Sequence, residues 1–297
     1  MVEHASVLVF GGTGRQGGAA ARHLLAGGWH VRALVRDTTA APAVALQQAG
    51  AEVVRGDFDD GASMRRAMAG VHGVFSVQTF IGPGGIAAEV RRGRTVAEIA
   101  AEVGVAHLVY SSVGGAERDS RVPHFESKWE IEEHIRSLGL RHTILRPVFF
   151  MENLAGFGGP VLVDDTVVVR QALHPETKLQ MIAVDDIGAF AALAFDHPDD
   201  FQGTQLELAG DELTGPQVAS LFGELAGRRA HFEEQPLTEI RAISDDLAAM
   251  YEFFNDRGYQ ADIEKLRTRH PRLQSLRTWA TQTGWTLPGP KPEDVTA

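Results

Sequence analysis

The stretch Ser6-Val7-Leu8-Val9-Phe10-Gly11-Gly12-Thr13-Gly14-Arg15-Gln16-Gly17-Gly18 decides how this chain is read. A short apolar, β-branched run meets four glycines in seven residues, and an alanine- and leucine-rich segment of helical period follows. The spacing satisfies G-x-G-x-x-G from Gly12 and G-x-x-G-x-x-G from Gly11. Glycines let the backbone turn sharply and approach a pyrophosphate, whose charge is met by free N–H groups and the dipole at a helix N-terminus. A glycine turn alone is equally a plain strand-to-helix connection. What raises it to a dinucleotide site is the order of strand, glycines, helix and second strand.

Working outward, the same alternation continues. Strands are predicted at Ser6–Phe10, His30–Val35, Glu52–Val54, Gly73–Val77, His107–Ser111 and His142–Leu145, with helical stretches near Arg15–Leu25, Val44–Gln48, Gly61–Met68, Ile86–Val103 and Phe125–Leu138. Strand–helix–strand repeats with right-handed crossovers build an α/β fold, a Rossmann-type doubly wound parallel sheet. Arg146-Pro147 ends the sixth strand and a glycine-rich stretch follows. The expected organisation is therefore a dinucleotide-binding domain over residues 1–150 and a smaller α+β domain over 151–297. Met181–Val184, the apolar helix Asp186–Phe195 and Gln205–Leu208 again read as strand, helix and strand, so a segment of about 180–209 is expected to return to the sheet. Beyond Gly210, helices at Pro216–Ala226 and Asp245–Asp256 flank a strand around His231, and the Pro/Lys/Glu-rich tail from Leu287 is expected to be loose.

Each strand end carries a candidate contact. At the end of the second strand, where an NAD site often places an acid, the chain has Val35-Arg36-Asp37. A guanidinium can grip a 2′-phosphate by paired, charge-assisted bonds, so Arg36, with Arg15 as a second positive charge, points to NADP(H), with NAD(H) the alternative through Asp37 on a ribose hydroxyl. After the third strand, Gly56-Asp57-Phe58-Asp59-Asp60 offers Asp57 to an adenine amino group, or acids that cap the next helix. Val77-Gln78-Thr79-Phe80-Ile81 closes the fourth strand, at the edge where ligands of such sheets lie. At the fifth strand, Leu108-Val109-Tyr110-Ser111-Ser112 is followed twelve residues later by His124 and four after that by Lys128. This is the Ser, Tyr and Lys spacing of short-chain dehydrogenases with His124 in the place of Tyr.

The run His124-Phe125-Glu126-Ser127-Lys128, with Arg146-Pro147-Val148-Phe149-Phe150-Met151-Glu152-Asn153 downstream and Gly11–Gly18 upstream, resembles NmrA-like proteins among the atypical short-chain dehydrogenases, most nearly the HSCARG-type NADPH sensor branch. The resemblance spans about residues 5 to 280. It implies a Rossmann domain binding NADP(H) and a C-terminal substrate or partner domain. Position by position, it implies cofactor contacts from Gly11, Gly12, Thr13, Gly14, Arg15 and Gln16 beside Gly17, from Arg36, from Asp57 and Phe58, and from Gln78, Thr79 and Phe80. It assigns Lys128 and the Phe150, Met151, Glu152 and Asn153 segment to the nicotinamide end. Where that branch has a second basic residue, this chain has Thr38-Thr39-Ala40-Ala41, which weakens the expected grip on the 2′-phosphate.

Composition bounds the rest. The 297 residues carry 28 Lys plus Arg against 39 Asp plus Glu, a formal charge of −11, the wrong sign for a nonspecific nucleic-acid binder. With no cysteine, disulfides, thiol nucleophiles and thiolate metal sites are absent. Twelve histidines without H-E-x-x-H or another ligand spacing argue against a metal. No G-x-S-x-G elbow supports hydrolysis. Neither an apolar run of about 18 residues nor a signal sequence is read, so a cytoplasmic location is expected. Two functions remain: an NADPH-dependent reductase of a small carbonyl, quinone or conjugated acceptor, with Lys128 and His124 as catalytic residues, or a non-catalytic redox sensor that regulates a protein partner. Oligomeric state is not legible.

Overall fold

The computed structural model describes residues 5–156 and 158–287. In chain order its first elements are β1 (Ser6–Phe10), α1 (Arg15–Ala26), β2 (His30–Val35), α2 (Ala41–Gln48), β3 (Glu52–Arg55), α3 (Gly61–Met68), β4 (Gly73–Ser76), α4 (Gly85–Glu102), β5 (His107–Ser111), α5 (Pro123–Ser137) and β6 (His142–Pro147). Then come β7 (Phe149–Phe150), β8 (Val161–Val163), β9 (Thr166–Gln171), β10 (Lys178–Ile182), α6 (Val184–Asp196), α7 (Pro198–Phe201), β11 (Gln205–Leu208), β12 (Asp211–Thr214), α8 (Gly215–Ala226) and β13 (Arg229–Glu234). Four helices close the described chain: α9 (Leu237–Ile243), α10 (Asp245–Asp256), α11 (Ile263–Arg269) and α12 (Leu276–Gln282). The chain divides into two compact units.

The first unit holds the chain up to Asp119, Pro123–Pro147 and Val184–Glu207. Its seven strands lie in the order β11-β6-β5-β4-β1-β2-β3, and β1 pairs in parallel with both β2 and β4. Val7, Leu8, Val9 and Phe10 are all fully buried, a continuous apolar run because helices cover both faces of the sheet. On one face Met64 and Met68 of α3, Val96 and Ile99 of α4, and Ile131 and Ile135 of α5 pack on Leu8, Phe10, Val74, Leu108 and Ile144. On the other, α1 lies against α6 so closely that a Cβ at Gly188 would fall 2.5 Å from the Ala19 carbonyl carbon. This is the doubly wound sheet that the alternation predicts.

One expectation is corrected. Gln205–Leu208 does reach the large sheet as its edge strand, where Ile144 N donates to Thr204 O at 3.0 Å. The strand expected at Met181–Val184 does not: it runs Lys178–Ile182 and pairs antiparallel with β12 and in parallel with β7. Apolar period alone identifies a strand, and its partners are chosen by register with segments far along the chain.

The second unit comprises Ser120–Val122, Val148–Ala183 and the chain from Leu208. It has two three-stranded sheets, β12-β10-β7 and β13-β9-β8, with helices around them, so it is α+β. Beyond Gly210 it adds β12, α9, α11 and α12 to the elements expected there. Phe149, Phe253 and Phe254 are buried, and Phe149 meets Phe254 edge-on at 6.3 Å. The tail after Leu287 lies outside the described residues. Among the described residues, no helix is long and apolar enough to cross a membrane.

Candidate functional site

The glycine turn is built by close approach. Gly11 holds φ +65°, a region costly for any side chain, and its carbonyl accepts from Gly14 N at 2.8 Å. A Cβ at Gly17 would lie 2.3 Å from that same carbonyl oxygen, so α1 can sit this near β1 only without a side chain there. Gly14 is the N-cap of α1 and makes no side-chain cap bond, and the first turn of the helix carries no acid. The positive end of the helix dipole is therefore not cancelled from within. Thr13, Gly14 and Arg15 are exposed at this end, and Arg15 makes no ion pair among the described residues. Gln16 is committed differently: its Oε1 accepts from Ser111 Oγ at 2.6 Å, tying the start of α1 to the end of β5.

After β2, Arg36 is exposed with no ion pair among the described residues. Asp37 turns back on its own chain: its Oδ1 accepts from Thr39 N at 2.8 Å and Thr39 Oγ1 at 2.6 Å. The Thr39 hydroxyl and amide hold its carboxyl below the usual range. After β3, Asp57 Oδ1 accepts from Asp59 N at 2.9 Å, and Phe58 stacks on Phe10 with ring centroids 5.1 Å apart. Asp60 caps α3 through Ala62 N and Ser63 N. Asp59 instead meets Arg92 and Arg91 of α4, whose guanidinium bonds drive its carboxyl far below the ordinary value.

At the end of β4 and the start of α5, five of the expected residues come together. Lys128 is buried, and its Nζ donates to the Gln78 backbone oxygen at 2.7 Å. The Gln78 side chain is also buried, with Nε2 donating to Ser76 Oγ at 2.9 Å, and Thr79 Oγ1 accepts from Ile81 N at 3.1 Å. Phe80 stacks on the imidazole of His124 at 4.7 Å. The reading along the chain misses one residue here. Glu89 of α4, fully buried, places Oε1 2.8 Å from Lys128 Nζ, and its Oε2 accepts from Ser127 Oγ at 2.5 Å. Nothing in Ile86–Val103 marks Glu89 as different from the solvated acids around it.

The neighbouring serine and tyrosine are engaged elsewhere. Ser112 Oγ donates to Glu132 at 2.6 Å, and Glu132 is also held by Arg146 through paired bonds of 3.0 and 2.7 Å. Tyr110 is fully buried, and desolvation, with Glu89 and Glu132 nearby, pushes its hydroxyl well above the ordinary phenol value. A phenol so disposed is not placed to exchange a proton with a ligand.

The remaining candidates belong to the second unit. Phe150 pairs with Ile182 in β7 and β10, and a 3-10 turn runs Met151–Ala155. Met151 is fully buried, so its side chain is interior packing. Glu152 Oε1 accepts from Trp279 Nε1 at 3.1 Å, and the Asn153 carbonyl accepts from Gly156 N at 3.1 Å. Among the described residues, no group of three His, Asp or Glu is arranged to hold a metal.

A sequence profile of the NmrA-like family matches residues 3–281. The chain belongs to the NmrA-like family. It is 31% identical over 252 residues to the NmrA-like family domain-containing oxidoreductase malD of Malbranchea aurantiaca, covering 76% of this chain and 74% of that one. Two solved structures share the fold of this NmrA-like chain. One is NmrA, a negative transcriptional regulator in complex with NAD, with TM-score 0.82, 21% identity and 94% of each chain covered. The other is an NADPH-dependent quinone oxidoreductase of Escherichia coli complexed with NADPH, with TM-score 0.80, 21% identity, and 94% and 99% covered.

Proposed function

We propose that this NmrA-like chain is an NADP(H)-dependent reductase of a small carbonyl, quinone or conjugated acceptor. The first unit binds the dinucleotide, and the second supplies the substrate or partner surface. The observation that carries this reading is the ammonium of Lys128, fixed on the Gln78 carbonyl just past the end of β4, the same sheet edge at which the Gly11–Gly14 turn ends β1. Ligands of open α/β sheets lie at that edge.

The residues fit a dinucleotide in three respects. Gly14 stands at an exposed helix start where a side chain would intrude. Arg15 and Arg36 are exposed cations near the turn, which favours NADP(H) over NAD(H). Lys128 has a donor to spare for a hydroxyl or a developing oxyanion. When bound, the reduced nicotinamide supplies the hydride, and the protein's part is to orient it, exclude water and provide that donor.

A second reading, a sensor that binds NADP(H) to regulate a protein partner, is favoured by one observation. His124 replaces the phenol, and its ring is stacked against Phe80. A turnover screen separates the two. NADPH absorbance is followed with quinones, azo dyes, enones and aldehydes. Oxidation with one class supports the reductase, binding without oxidation by any supports the sensor, and no binding overturns both.

A further inference from the structure

The pair Lys128–Glu89 is unusual in its cost. Glu89 has no exposed surface and Lys128 has 8%. Taking two charges out of water costs several kcal/mol each, and such a pair is on average no better for stability than apolar side chains of the same size. As glue between α4 and α5 it is not needed. One turn along α4, a Cβ at Gly93 would fall 2.5 Å from Ile131 Cδ1, so the two helices already pack in direct contact beside it. The pair is also directional. An ammonium has three N–H donors. One is taken by the Gln78 carbonyl at 2.7 Å, and the ammonium pairs by charge with Glu89 Oε1 at 2.8 Å, an oxygen that accepts no hydrogen bond among the described residues. Ser127, the residue before Lys128, holds the second oxygen of Glu89 at 2.5 Å, so the carboxylate cannot rotate away.

We propose that Glu89 is a positioning residue for Lys128, its carboxylate holding the ammonium on the Gln78 carbonyl while N–H donors remain for a bound ligand. This rests on the reading of Lys128 as a cofactor-end cation.

The chain has four lysines, and Lys178 and Lys265 are exposed, which makes the side-chain ammonium signals of 15N-lysine-labelled full-length protein easy to separate. In the wild type, a slowly exchanging Nζ resonance, absent from Lys128→Met, is expected. Glu89→Gln should abolish it and weaken NADPH binding about tenfold by calorimetry, the scale of losing an opposite charge at this distance. In the Lys128→Met background the same substitution should change the dissociation constant less than twofold. An unchanged resonance and affinity in Glu89→Gln overturns the proposal, as does an equal loss in both backgrounds, which would mark a merely structural role. Should Glu89→Gln fail to fold, Ser127→Ala carries the test. It should speed exchange at Nζ and weaken NADPH binding about threefold in the wild-type background only, and no effect there overturns the proposal. If the wild type binds no NADPH, the reductase and sensor readings fall, while the Nζ resonance still decides whether Glu89 holds Lys128.

Discussion

Lys128 Nζ lies 2.7 Å from the backbone oxygen of Gln78, so the first turns of α5 are pinned to the loop that leaves β4. The contact brings a side chain from one crossover to the sheet edge formed by another. If the chain is a reductase, Lys128→Ala should lower kcat on the order of a hundredfold. It should also lower Tm, because Glu89 is left buried without its counter-charge. Lys128→Met combined with Glu89→Gln should recover most of the Tm and none of the rate. Equal kcat in Lys128→Ala and wild type at saturating NADPH would remove Lys128 from catalysis.

His124→Ala should cost less than Lys128→Ala. The ring stacks on Phe80, so its loss loosens that loop as well as removing a proton donor. With a quinone acceptor the variant should be nearly silent, because hydride transfer there needs no protein acid. With a ketone the loss should be several-fold. A larger loss with the quinone than with the ketone would argue against an acid role.

Gly14→Val tests the glycine turn. Gly14 has φ −95° and ψ 179°, extended backbone that valine adopts readily, and a Cβ there meets only the Gly11 oxygen, at 3.2 Å. The variant should fold with a Tm near that of the wild type and lose the stabilisation by NADPH. For the wild type this is about 2.7 kcal/mol at a hundredfold excess over the dissociation constant. A retained ligand shift in Gly14→Val would place the phosphates elsewhere.

Arg36→Ala reads cofactor choice. The side chain is exposed and makes no ion pair among the described residues, so its removal should leave stability within about 0.5 kcal/mol. NADPH affinity should fall about tenfold and NADH affinity should barely change. Equal losses by calorimetry would mean that Arg36 does not read a 2′-phosphate.

His107 predicts the pH dependence of folding. Its Nε2 lies 2.9 Å from Thr143 Oγ1, whose own proton goes to the Phe201 carbonyl at 2.9 Å, so Nε2 is the donor and carries the hydrogen. Protonating Nδ1 would create a buried N–H without an acceptor among the described residues. Burial, chiefly, lowers this imidazole from 6.5 to about 4. The neutral form is favoured by folding, so the stabilisation is present above pH 6.5 and lost as pH falls through the window from 6.5 to 4. Across that window the loss amounts to about 3 kcal/mol. Urea titrations of wild type and His107→Gln at pH 7 and pH 4.5 should show a smaller drop in the variant. Parallel drops would assign the acid sensitivity to other groups.

What lies along the chain locally was legible. The strands at Ser6–Phe10, His30–Val35 and His107–Ser111 and the helix Gly61–Met68 stand where apolar period and glycine breaks put them. In a sheet covered on both faces the strand residues must be apolar without interruption, and that leaves a mark in the sequence. Gly11 and Gly17 were legible for a similar reason, since glycine is the residue that takes a positive φ without steric cost and the one that permits a 2.3 Å approach. The four-residue spacing of His124 and Lys128 is read directly from the sequence, and both fall in the one helix α5.

Pairing across the fold was decided only in three dimensions. Lys178–Ile182 has the same apolar character whether it joins the large sheet or, as it does, β12 and β7, because a strand's hydrogen bonds are indifferent to the sequence that offers them. Glu89 reads as one of several acids on a charged helix, yet α4 turns it inward onto Ser127 and Lys128, 38 and 39 residues further on. A side chain's charge is written in the sequence. Whether water or a counter-charge surrounds it depends on which helix face is covered, and only the packing of the whole unit fixes that.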